Sequence, residues 1–189
     1  MFWAIATFEA FLLRQTKYME NLADLTAVVR EVESHVGAAG WDQPVRLFAI
    51  VSTAQLMRTD PELAQQLNLT SDLPLTSIEQ ELSPNQDLVE LLGTIAWPEN
   101  VLGAVLSIER IVLPAQAEEN LPNTDDAEWL TEVATNPNRK DVRIISAVMR
   151  DGTNLNALRY RDHDELDAVA IASDLVPNLN ESLLTTFAD

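Results

Sequence analysis

The sequence predicts an α+β fold: a mostly antiparallel sheet of about 4–5 strands, packed by N- and C-terminal helices, with a helical insertion after the first strand. Three observations carry this. Leu22, Leu25, Val29, Val32 and Val36 recur at helical spacing. Leu47 to Val51 is an unbroken apolar run, as expected of a strand covered on both faces. Asp151-Gly152 separates two runs of strand-forming residues, the pattern of a β-hairpin.

Taken in order, Met1 to Tyr18 opens the chain with an apolar segment in which Ile5, Phe8, Phe11 and Leu12 share one helical face. It has no basic n-region, carries Glu9 mid-run and is too short to span a bilayer. It therefore reads as an amphipathic extension, residues 1–18, that docks on the body or on a second copy as a homodimer contact. Residues 19–189 read as a single domain.

The Leu22–Val36 helix is expected to start at Asn21 and to stop at Gly37 or Gly40. Trp41 to Pro44 then forms the corner into the first strand, Arg46 to Ser52. Pro44 lacks a donor where the ladder begins and biases Gln43 to an extended conformation, so chain geometry explains this collar before any ligand does. Trp41 is expected to be largely buried against the helix. The next stretch reads as helical and acidic, with a short helix at Thr59-Asp60-Pro61 and another from Pro84 to Ile95 opened by a capping box at Ser83.

Val101 to Leu113 reads as the second strand. A polar loop, Gln116 to Asp126, and one or two helical turns, Ala127 to Ala134, come next. Val142 to Met149 and Leu155 to Arg161 form the hairpin, whose loop holds two or three residues. Leu166 to Ala172 adds an edge strand, and Asp174 and Pro177 start a last helix with Leu179, Leu183, Leu184 and Phe187 inward.

Charge and composition narrow the chemistry. The 189 residues include no Cys, which excludes a disulfide framework, a thiol nucleophile and cysteine-ligated metals. His35 and His163 are the two histidines, too few for a three-histidine zinc site. Net charge is −18, and Thr59 to Asn138 holds fifteen acids against one base, Arg110. Such a field disfavours nucleic acid and anionic membranes and favours solubility or a basic protein partner.

The densest titratable cluster is Arg159 to Asp167. Within it Asp162, His163, Asp164 and Arg161 are the catalytic candidates, beside Arg159. The segment lacks the regular ligand positions and central glycine of a calcium loop, so it reads first as a solvated turn with arginine–carboxylate pairing across the hairpin. No metal site and no cofactor is expected. His35 reads as a helix-rim residue, and Glu109 and Arg110 point to opposite faces of their strand, so they cannot pair directly. No phosphate loop, dinucleotide fingerprint or nucleophile elbow is present.

Several stretches together resemble a family of uncharacterised actinobacterial proteins. They are Gly40 to Pro44 running into Leu47-Phe48-Ala49, Ile95-Ala96-Trp97-Pro98, Glu109-Arg110 to Leu113-Pro114, Asp141-Val142-Arg143, Arg159 to Asp164, and Asp174-Leu175-Val176-Pro177. The resemblance covers about Glu20 to Asp189 and leaves Met19 as a candidate start. It implies a cytoplasmic bacterial protein and carries over no activity, cofactor or catalytic residue. The expected function is a non-catalytic acidic interaction protein, an adaptor or chaperone-like domain; the alternative is a small enzyme or ligand-binding protein using Asp162, His163 and Asp164.

Overall fold

The structure, a computed structural model, describes residues 2–83, 87–113, 133, 135–165 and 168–188, with α1 side chains from residue 19 onward. Helix α1 (Phe2–Ala38) is followed by β1 (Arg46–Ser52), α2 (Thr53–Thr59), α3 (Pro61–Gln66), β2 (Leu75–Gln80) and α4 (Leu88–Thr94). Then come β3 (Val101–Val112), β4 (Lys140–Met149), β5 (Asn154–Tyr160), β6 (Val169–Ala172) and α5 (Pro177–Thr185). The six strands form one sheet in the order β2-β1-β3-β4-β5-β6, and every neighbouring pair is antiparallel. The α+β class therefore holds, with more strands than expected.

Side-chain alternation divides the core between the two faces of the sheet. Phe48, Ile50, Val105, Ile145, Ala147, Leu155 and Ala157 meet Leu25, Val28, Val29, Val32 and Val36 of α1. Leu47, Ala104, Leu106, Val142, Ile144 and Val148 face the other way, toward Leu183 and the partly buried Leu88, Leu92, Trp97 and Leu179 of the α4 and α5 side. Burying each such large side chain contributes roughly 1.5–3 kcal/mol, so the α1 stripe contributes much of what holds that helix to the sheet.

Three expectations change. The α1 helix runs unbroken through Asn21, which is no cap: its side-chain amide donates to Asp151 Oδ2 at 3.0 Å, tying the helix to the tip of the β4–β5 hairpin. A strand, β2, lies where a helical stretch was expected. It is an edge strand with one neighbour, and its Ser77, Glu79 and Gln80 blur the apolar alternation that marks a buried strand. Helix α4 is capped by Asp87, whose Oδ1 accepts from Val89 N at 2.9 Å and Glu90 N at 3.1 Å. Ser83 does not cap it, and residues 84–86 lie outside the described residues.

The rest follows the sequence closely. Asp60 caps α3, accepting from Leu63 N at 3.0 Å, and Pro61 occupies the first helical turn. The hairpin has the longer of the two expected loops. Met149 N donates to Thr153 O at 2.8 Å, leaving Arg150, Asp151 and Gly152, with Gly152 at φ +86° as this loop type requires. The edge strand is shorter than expected, and residues 166–167 lie outside the described residues, as do the polar loop 116–126 and all of 127–134 except the buried Val133.

Helix α5 starts at Pro177 with Leu183 buried, yet Asp174 does not cap it. Docking comes instead from a buried amide cluster. Asn180 Oδ1 accepts from Ser146 Oγ at 2.8 Å and Asn156 Nδ2 at 2.7 Å, while Asn180 Nδ2 donates to Asn154 Oδ1 and Asn156 Oδ1, each at 3.1 Å. Asn154 and Asn156 also accept the backbone N–H groups of Asp174 and Leu175, so the turn into the helix is held by the same side chains. Asn180→Ala orphans buried donors and acceptors on two strands and is expected to cost about 2–3 kcal/mol in urea unfolding. The exposed Asn178→Ala in the same helix stays within about 0.5 kcal/mol.

Candidate functional site: a charged corner around Trp41

The α1 stripe ends at Val36, and the chain must then turn to enter β1. Gly40 N donates to Gly37 O at 3.0 Å, with Gly40 at φ +82°, the left-handed residue that closes a helix C-terminus. Asp42 is also left-handed, at φ +65°, and Trp41 stands between the two. This corner lies over the end of the sheet where β3, β4 and β5 carry charges on their α1-facing side.

Register explains that charge. Glu109, Arg143 and Arg159 occupy one row across three strands, Glu109 opposite Arg143 and Arg143 opposite Arg159. Each is in phase with inward apolar residues, Val105, Ile145 and Ala157 respectively, so burial is imposed by the pleat. Arg143 is only 1% exposed and Arg159 5%. Two guanidiniums side by side repel unless each has its own carboxylate.

Each has one. Arg143 donates Nε and Nη2 to Glu109 Oε1 at 3.2 and 3.0 Å, and Nη2 also to the Gly40 carbonyl. Glu109 Oε2 in turn accepts the Asp42 N–H at 2.7 Å. Arg159 forms a two-pronged pair with Glu33 of α1, Nε to Oε1 at 2.6 Å and Nη2 to Oε2 at 3.0 Å, and its Nη1 donates to Glu165 O at 2.6 Å.

Trp41 completes the corner. Its ring lies against two cations, with the Arg143 guanidinium carbon 4.4 Å and that of Arg161 5.5 Å from the ring centroid. Its indole N–H donates to Asp164 Oδ2 at 2.9 Å, and Arg161 grips both Asp42 oxygens at 2.9 and 2.6 Å. The expected burial of Trp41 against the helix is therefore replaced by half-burial against arginines. The reason is position: past Val36 the sheet offers a charged row, and an aromatic face meets it as a cation–π partner.

Of the sequence-derived candidates, Asp164, Arg159 and Arg161 enter this network, while Asp162 and His163 do not. The exposed Asp162 pairs with the half-buried Lys140. His163 is exposed; its backbone N–H donates to Tyr160 O at 3.0 Å, and its ring makes no hydrogen bond among the described residues. No group of three acids or histidines among the described residues is placed to hold a metal ion, and Asp167 lies outside them. His35 sits at the α1 rim, Nε2 2.7 Å from Arg46 Nη2 and 3.5 Å from Glu79 Oε2. Glu109 and Arg110 do face opposite ways, and Arg110 is exposed. Sequence reasoning missed Glu33 and Arg143 as partners; their signal is a charge in phase with a buried stripe.

Two clefts flank the corner. One of about 580 Å³ lies between α1 and β6, lined by Arg30, Glu33, Ser34, Arg159, Asp164 and Ile171 among others. The other, about 900 Å³, lies near the β1–β2 end and is lined by Pro44, Val45, Arg46, Glu79, Leu82 and Leu91 among others. His163 lines neither.

Arg159→Ala leaves Glu33 buried and unpaired and is expected to cost about 3–5 kcal/mol by urea unfolding, whereas Arg159→Met with Glu33→Leu recovers most of that loss. The exposed pairs give a pH dependence. Hydrogen bonds from Arg46 hold Glu79 below its ordinary 4.5, and hydrogen bonds from Arg161 hold Asp42 below its ordinary 3.8. A depressed folded value means stability that is fully present above the ordinary value and lost as pH falls through the folded one. Melting temperature is thus expected to be level above about pH 5 and to fall below it, with a shallower fall in Glu79→Gln.

Among the described residues no helix is long and apolar enough to cross a membrane. No curated protein and no solved structure matches the chain. Residues 25–188 match the model of the PPA1309-like protein family, which takes in the sheet-packed part of α1, the corner, all six strands and α5. With that match over most of its length, the chain belongs to the PPA1309-like protein family.

Proposed function

We propose that this PPA1309-like protein is a non-catalytic interaction protein that engages a basic protein partner through its acidic surface. One observation carries the reading. Between residues 59 and 109 there is no Lys, Arg or His, while Asp60, Glu62, Asp72, Glu81, Glu90 and Glu99 are exposed. By contrast, the acids and bases of the candidate catalytic cluster that reach the corner are engaged in holding it, so their chemistry is structural. A cytoplasmic location accompanies this reading.

A second reading, a small enzyme or ligand-binding protein, is favoured by the cleft of about 580 Å³ that Arg159 and Asp164 help to line. The two separate experimentally. Affinity capture from a native lysate is expected to retain a basic protein that elutes as ionic strength rises, since exposed charges are screened within about 8–10 Å at physiological salt. Capture indifferent to salt overturns the first reading. A small molecule that raises the melting temperature of the wild type and not of Asp164→Ala supports the second.

A further inference from the structure

The inserted helices α2 and α3 have one face built into the body and one face left open. Thr53 is fully buried, its hydroxyl 2.7 Å from that of Thr76 on β2, and Leu56 packs on the Ala49, Val51 and Val101 cluster. Asp60 joins the two helices tightly: its N–H closes α2 on Leu56 O and its carboxylate opens α3. The pair is thus a fixed platform.

Its outer side carries a shallow open groove of about 420 Å³, lined by Met57, Pro61, Ala64, Gln65, Asn68 and Leu69. Met57 is 37% exposed, and Leu67 and Leu73 in the following loop are 42% and 43% exposed. Large apolar side chains gathered in one short segment mark a contact surface more than the same residues scattered singly. A methionine in such a groove adapts to different apolar partners. Asp60 and Glu62 flank Pro61, and Asp72 adjoins Leu73, all exposed, against one base, Arg58.

Resting on the reading of an acidic interaction protein, we infer that the α2–α3 groove is the docking site for a basic amphipathic helix of another protein. Apolar anchors of that helix enter between Met57 and Leu69, and its lysines or arginines meet Asp60, Glu62 and Asp72. An acidic or neutral apolar segment would lack the second set of contacts, so charge selects among helices that share the same apolar face.

The probe is a fluorescein-labelled leucine/lysine amphipathic helical peptide, with a leucine/glutamate peptide of the same pattern as control, read by anisotropy on the full chain. The lysine peptide is expected to bind about tenfold or more tightly than the glutamate peptide, and Met57→Gln with Leu67→Ser to weaken it about tenfold. Glu62→Lys with Asp72→Lys should weaken it and flatten its salt dependence. Circular dichroism and melting confirm that these surface variants stay folded. Binding unchanged by the Met57 and Leu67 substitutions but lost in Glu90→Lys with Glu99→Lys overturns the groove while keeping the acidic-surface reading. No binding of either peptide overturns both. A dimer in light scattering that dissociates in the Met57 and Leu67 variant assigns the groove to a second copy and overturns the inference.

Discussion

The burial of Arg143 and Arg159 side by side is the constraint around which one end of this protein is arranged. Neither guanidinium can stay desolvated without a carboxylate, and the sheet itself supplies only Glu109. The second carboxylate, Glu33, has to come from the helix above, so α1 is held to the sheet by an ion pair as well as by its valines and Leu25. Removing water from this end also brings Gly40 and Asp42 into the network through their backbone groups, which sets the path of the chain into β1. The apolar stripe positions the helix on the sheet, and the charged row fixes how far along it lies.

The opposite face solves the same problem with neutral groups. Ser146 and Asn156, facing each other on β4 and β5, are both fully buried, and Asn180 of α5 meets them with matching donors and acceptors. A helix with a modest apolar face gains direction from this contact: rotation about its axis would break the bonds of Asn180 to Ser146, Asn154 and Asn156. Arg150 performs a related service at the hairpin, donating to the carbonyls of Trp97, Pro98 and Val101 while lying against Phe187.

How far the sequence discloses this depends on the kind of signal. The α1 stripe, the doubly covered β1 and the Asp151-Gly152 turn are local patterns, and each appears in the structure where its pattern lies. Strand β2 is hidden because an edge strand needs little apolar alternation, and the continuity of α1 is hidden because Asn21 has the chemistry of a cap yet bonds a distant aspartate. The Arg159 to Asp167 segment attracts notice by density of charge, although its middle members, Asp162 and His163, are peripheral to the corner. The residues that matter most there, Glu33, Trp41, Glu109 and Arg143, are spread over more than a hundred positions. Phase discloses the charged members in advance: Glu109 and Arg143 fall on the strand face of Val105 and Ile145, and Glu33 on the helix face of Val29 and Val36.

The strand order has a consequence for how the sheet can assemble. Strands β4 and β5 are joined by four residues, Arg150 to Thr153, and β5 and β6 are also neighbours in both sequence and sheet, so these contacts close small loops. Strand β1 is different: its partners β2 and β3 begin 23 and 49 residues after it ends, and it is inserted between them. Because closing a longer loop loses more chain entropy before any contact compensates, the topology favours a nucleus at the β4–β5 hairpin, with β1 joining afterwards. The buried row would then form in stages. Arg143 and Arg159 come together first on the hairpin, and the two cations stay hydrated until β3 and α1 bring in Glu109 and Glu33.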